Sequence, residues 1–97
     1  MTPPTVEITA PLNGGTSKER AILVLDANAS DNVKVARVEF YVNGVLKCSD
    51  PFVSYRCSTS LPAGVGITYR IEARAIDSSN NKTSAFIEIV SIPLTTR

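Results

Sequence analysis

Thr68-Tyr69-Arg70-Ile71-Glu72-Ala73-Arg74-Ala75-Ile76-Asp77 is the stretch that decides the fold. Tyr69, Ile71, Ala73 and Ala75 fall on one face and Arg70, Glu72 and Arg74 on the other, the period-2 pattern of a strand with one buried and one wet side. Working outward, the polar loop Ser78-Ser79-Asn80-Asn81 leads into a last strand over Ser84 to Ile92, where Glu88 sets Ile87 and Ile89 inward. Upstream, Ala36 to Val42 places Val38, Phe40 and Val42 against Arg37, Glu39 and Tyr41. Asn43-Gly44 follows at once and signals a hairpin, because a type I′ turn needs positive φ at both central residues. Val45 to Cys48 is the short return strand, and a fifth strand runs from about Val53 to Ser58 after Asp50-Pro51. Nearer the start, Ala21 to Ala29 alternates Leu23, Leu25, Ala27 and Ala29 with Ile22, Val24, Asp26 and Asn28. The first strand is Thr5 to Thr9, with Val6 and Ile8 inward and Glu7 outward, ended by the turn cluster Pro11-Leu12-Asn13-Gly14-Gly15.

No stretch carries a 3.6-residue period, so the chain reads as all-β. Seven short strands with turn chemistry between them predict an antiparallel two-sheet sandwich of the Ig-like or fibronectin-III-like kind, since an open sheet would leave one apolar face wet. The outward residues Arg37, Glu39, Arg70, Glu72, Arg74 and Glu88 mix both signs and read as a solvated face with cross-strand pairs.

The 97 residues fit one domain, with a core over residues 5–92 and linker ends at 1–4 and 93–97. Hydrophobic residues at 43% and charged residues at 20% suit a globular fold rather than a disordered one. Ten Lys and Arg against nine Asp and Glu leave a net charge of +1, which points to neither nucleic acid nor an anionic membrane nor a polyanionic substrate. No apolar run approaches the roughly 18 residues that span a bilayer. Met1-Thr2-Pro3-Pro4 has neither the basic start nor the apolar stretch of a signal peptide. There is no His, which removes the usual general base of Ser and Cys hydrolases and the commonest transition-metal ligand. Gly14-Gly15, and Gly64 with Gly66, precede no helix and so form no phosphate loop. The expectation is a protein without catalytic machinery of its own.

Four segments taken in order, Pro4 to Pro11, Leu25 to Asp31, Val38 to Gly44 and Tyr69 to Asp77, resemble the bacterial Ig-like domains that recur in secreted glycoside hydrolases, proteases and surface adhesins. The resemblance covers nearly the whole chain and implies a fold and a context more than an activity. Members of that family commonly carry a Trp in the fifth strand. Here Cys57 stands there, and with no Trp anywhere the aromatic anchors of the core are Phe40, Tyr55 and Tyr69.

Cys48 ends the fourth strand and Cys57 lies in the fifth, with eight residues between them and the Asp50-Pro51 turn folding one back on the other. A disulfide across this hairpin fits an exported protein, and two buried free thiols are the alternative. If the strands alternate in direction, Asp31, Asp50 and Asp77 gather at one pole with Asn32, Asn80 and Asn81, offering oxygen ligands for calcium. The alternative is that each aspartate binds its own loop backbone in an Asx-turn. Tyr41 is the outward aromatic on a strand, a place where a sugar ring could stack, or else ordinary sheet surface. Ile22 and Val24 could form a contact patch for a neighbouring domain.

The resulting expectation is a spacer module of an extracellular, secreted or cell-surface bacterial protein, monomeric, with neighbouring domains of its own polypeptide as partners. A carbohydrate- or surface-ligand-binding module is the alternative, and calcium is the one cofactor entertained.

Overall fold

The structure is a computed structural model that describes residues 3–32 and 34–94. Among them there is no helix, and eight strands follow one another: β1 (Thr5–Ala10), β2 (Thr16–Lys18), β3 (Ile22–Ser30), β4 (Val35–Val42), β5 (Val45–Asp50), β6 (Tyr55–Ser60), β7 (Thr68–Asp77) and β8 (Lys82–Ile92). They build a three-stranded sheet in the order β1-β3-β6 and a five-stranded sheet in the order β2-β8-β7-β4-β5.

The deciding stretch is the centre of the larger sheet, because β7 is paired on both sides. Ala73 lies opposite Phe40 on β4 and Ala85 on β8. Ala73 and Ala75 are fully buried, and so small a side chain leaves room on the shared face for the Phe40 ring beside it. Facing them, β3 contributes Leu23, Leu25 and Ala27, and β6 contributes Tyr55 and Cys57, to one contiguous core. Phe40, Tyr55 and Tyr69 are all buried, as the absence of Trp requires. The Asn43-Gly44 turn has φ of 50° and 82° at its two central residues, the positive pair a type I′ hairpin needs.

The strand count and the wholly antiparallel sheet require correction: there are eight strands, and β2 pairs in parallel with β8, Thr16 opposite Val90 and Lys18 opposite Ile92. The cause lies in the segment between β1 and β2. Pro11 has no N–H to continue the ladder to β3. The chain then crosses to the other sheet, where the Gly14 N–H donates to the Glu88 carbonyl at 2.8 Å and Val90 donates to the Gly15 carbonyl at 3.1 Å. Gly14 holds φ at 80°, a region other residues adopt only with strain. The Asn13 side chain pins the crossing further by accepting from the Glu88 N–H at 2.9 Å.

Direction does not reverse at this crossing, so β1 and β2 are two halves of one pass. Seven passes therefore remain. Pairing of Thr5 with Ser30, and of Val90 with Thr68, puts the first and last strands' outer ends at opposite poles. The molecule measures 52 × 19 × 19 Å.

Three smaller corrections concern the ends. Pro4, expected in a linker, is fully buried; lacking an N–H, it enters the interior without stranding a donor. The linker residues Met1, Thr2, Thr95, Thr96 and Arg97 lie outside the described residues. The fifth expected strand starts at Tyr55 rather than Val53, and the fourth extends to Asp50. At the end of β7 the alternation fails, with Ile76 and Asp77 both buried, where the β4 register shifts between Val35 and Arg37.

The Tyr69 hydroxyl is buried and has no hydrogen-bond partner among the described residues. Replacing Tyr69 by Phe should therefore leave thermal stability unchanged or raise it slightly. A loss above about 1 kcal/mol in chemical denaturation would show instead that the hydroxyl is satisfied.

Candidate functional site

The outward face of the five-stranded sheet carries the densest set of polar side chains, and β4, β7 and β8 hold them in rows by the same alternation that buries the core. Tyr41 donates to Glu39 at 2.7 Å, Arg37 pairs with Glu39 at 3.1 Å, and Arg74 pairs with Glu72 at 3.0 Å. Ser84 donates to Glu72 at 2.6 Å, and Arg74 also donates to the Tyr41 hydroxyl at 3.2 Å. The network thus runs across three strands. Burial alone would raise the Glu39 carboxyl, but the Tyr41 and Arg37 donors outweigh it and hold the group below its ordinary value. The hydrogen bond to Glu39, together with burial, holds the Tyr41 phenol above its own.

Tyr41 projects outward as its place in the alternation demands, but its ring is not bare. The Arg74 guanidinium lies 4.5 Å from the ring centroid, covering one face. Phe86 is treated alike by Arg70 at 4.2 Å. These two contacts were not read from the sequence, although Glu72 lying opposite both Tyr41 and Phe86 brings the three strands' outward rows side by side. On the opposite sheet Asp26 and Arg56 are directly opposed and pair at 2.6 Å. Being largely exposed, that pair contributes little to stability.

The three aspartates share a pole without forming a cluster: among the described residues no three acidic, His or Cys side chains group where a cation could be held. Each has local business. Asp77 accepts from the Ser79 and Asn81 backbones at 2.9 and 2.7 Å and from the Asn81 side chain at 3.0 Å. Asp50 accepts from Phe52 and Arg56, each at 3.0 Å, and so bridges the loop between β5 and β6. Asp31 accepts from the Lys34 N–H at 3.2 Å. The bonds from Phe52 to Asp50 and from Ser79 to Asp77, each two residues on, are Asx-turn contacts, and the others tie the same carboxylates to their own loops.

Burial would push the Asp77 carboxyl up, yet the Asn81 and Ser79 donors more than offset it and depress the group below its ordinary value. A depressed folded-state value means stability that is present above the unfolded aspartate range and is lost as pH falls through the folded value. Thermal melts from neutral to strongly acid pH should accordingly fall less steeply for Asp77→Asn than for the parent chain. Identical pH profiles would refute this assignment.

Cys48 and Cys57 form a disulfide with Cα atoms 5.8 Å apart. It does not cross a hairpin as the sequence suggested. β5 and β6 belong to different sheets, so the bond ties the free edge of one sheet to the free edge of the other. On the opposite side of the sandwich the β1-to-β2 crossing makes the equivalent link through the main chain. Both long edges are thereby closed covalently.

Two shallow clefts lie on the surface, one of about 340 Å³ along β1 and β3 and one of about 230 Å³ at the open corner beside Val45, Leu61 and Tyr69. Neither gathers convergent charged groups.

Two sheets of three and five strands, face to face, with a parallel first strand-half on the last strand, define a β-sandwich of immunoglobulin type. The chain belongs to the bacterial Ig domain family, whose model matches residues 4–73. Among solved structures it is similar to the fibronectin(III)-like modules of Clostridium thermocellum CbhA, with a TM-score of 0.84 and 22% identity over 95% of this chain. It spans 48% of that chain. CopC from Methylosinus trichosporium OB3b shares the fold more loosely, with a TM-score of 0.56 and 13% identity over 96% of this chain and 99% of that one. Among curated proteins none matches. The chain thus fits a structural domain of a larger protein, and among the described residues no helix is long and apolar enough to cross a membrane.

Proposed function

We propose that this domain is a non-catalytic spacer of a secreted or cell-surface bacterial protein, holding a neighbouring catalytic or adhesive domain at a fixed distance. The observation that carries the reading is the placement of the first and last strand ends at opposite poles of a body 52 Å long. Neighbours joined at the two poles are kept apart by a stiff sandwich rather than by a flexible tether. Two further features agree with it. On the outward face of the larger sheet Arg37 pairs with Glu39 and Arg74 with Glu72, and a disulfide suits an oxidising, extracellular compartment.

Insoluble-polysaccharide pull-down together with a glycan array tests the reading. A spacer retains no sugar. Saturable binding that free sugar competes away and Tyr41→Ala abolishes would replace it with a carbohydrate-binding module.

A further inference from the structure

We infer that the cleft at the open corner between β5 and β6 is a ligand site for a small organic acid, one with an apolar body, a carboxylate held by Lys47 and a second oxygen that accepts from Tyr69. The inference goes beyond the spacer reading, which needs no ligand.

The site arises from the way the two sheets part. β5 and β6 are edge strands of different sheets, and the Cys48–Cys57 bond fastens them together. Toward the C-terminal pole both edges run on past that bond, and the cleft opens between them, lined by Val45 and Lys47 from β5, Thr59 from β6 and Leu61 beyond it. Both walls are fixed. The Arg70 N–H donates to the Asn43 side chain at 2.8 Å and the Asn43 N–H donates to the Arg70 carbonyl at 2.8 Å, which holds the turn between β4 and β5. On the other wall the Leu61 N–H donates to the Ala21 carbonyl at 3.0 Å. The cleft is thus preformed, as ligand sites commonly are, and its volume of about 230 Å³ suits a small molecule rather than a drug-sized one.

Two features bring chemistry to it. Leu46 lies opposite Tyr41 and Cys48 opposite Phe40, so Lys47 is the extra residue of a β-bulge. A bulge re-aims a side chain out of the strand's alternation, and this one brings Lys47 to the cleft, where it forms no ion pair among the described residues. The second feature is Tyr69, only 4% exposed, which also lines the cleft and whose hydroxyl is buried without a hydrogen-bond partner among the described residues. A buried hydroxyl left unpaired costs stability that Phe at this place would not. A ligand oxygen beside it removes that cost. The lining also includes the apolar Val42, Val45 and Leu61, which an apolar body covers. An exposed cation and a buried donor over an apolar lining define an acid that carries a second oxygen.

Titration of the isotope-labelled full chain, followed by NMR, tests this with three probes: para-hydroxyphenylpropanoate, phenylpropanoate, which lacks the second oxygen, and para-hydroxyphenylpropanamide, which lacks the charge. The hydroxy acid should shift the amide signals of Val45, Lys47, Leu61 and Tyr69 saturably, with a Kd in the low-millimolar range or tighter, as befits so small a ligand. The amide should bind about threefold more weakly for want of the ion pair, and Lys47→Gln should erase that difference. Phenylpropanoate should also bind about threefold more weakly, for want of one hydrogen bond, and Tyr69→Phe should make the two acids equal.

Shifts that fail to saturate, or that centre on other residues, would overturn the inference. Equal affinity of the parent chain for the three probes would do the same, as would preferences that survive Lys47→Gln and Tyr69→Phe. Should either variant fail to fold, the three-probe comparison on the unsubstituted chain decides alone.

Discussion

Phe40→Ala should lower the free energy of unfolding by about 3–5 kcal/mol, while Phe52→Ala leaves it within about 0.5 kcal/mol. Phe40 is completely buried, on β4 between β5 and β7 in the larger sheet, opposite Cys48 on one side and Ala73 on the other. Removing its ring forfeits transfer free energy and opens a void, and its in-sheet neighbours Ala73 and Cys48 are too small to fill it. Phe52 is 74% exposed in the loop after β5, so its ring has little burial to lose. A loss of this size is a large part of a small domain's stability. Phe40→Leu, which keeps most of the volume, provides a folded comparison with a smaller loss. Urea denaturation of the variants measures the difference directly, and equal midpoints for Phe40→Ala and Phe52→Ala would remove Phe40 from the centre of the core.

Reduction of the Cys48–Cys57 bond should lower stability by roughly 2–3 kcal/mol on the chain-entropy account, or about 10–20 °C in Tm. Reducing the parent chain isolates the crosslink, because both sulfurs still fill their places. Substituting both cysteines by alanine should cost more, since Cys57 is 2% exposed and its removal leaves space beside Tyr55 and Leu25. A Tm that does not move with reductant, once mass spectrometry has confirmed two free thiols, would show that the tie between the two sheet edges contributes nothing to stability.

How much of this was legible follows from what each segment does. β7 and β4 announce themselves because they lie inside the larger sheet with one face on the core and one in water, so every second residue must be apolar. Asn43-Gly44 is legible for a separate reason, the backbone geometry that only such residues adopt without strain. β2 was not legible. Thr16-Ser17-Lys18 is short and polar, and its pairing is fixed by the crossing at Pro11 to Gly15 and by the exposed edge of β8, neither of which marks the three residues themselves. Pro4 was misread because Pro at a chain end looks like a linker, although a residue without an N–H is well suited to burial there. The disulfide pair was legible from two cysteines close in sequence. Its role between sheets was not, because the eight residues from Ser49 to Arg56 could close a hairpin or pass from one sheet to the other. On the outer face, Tyr41 was found but Arg74 over its ring was not, since that contact depends on the register of β4 against β7.

The most direct test lies in the through-space proton contacts of β2 in an isotope-labelled sample, measured by NMR. The account predicts contacts from Thr16–Lys18 to Val90–Ile92 in parallel register, together with antiparallel contacts from Thr5–Ile8 to Ala27–Ser30. Contacts from Thr16–Lys18 to β3 instead, or none to β8, would contradict a first pass shared between the two sheets and with it the closed, opposite-ended body on which the function rests.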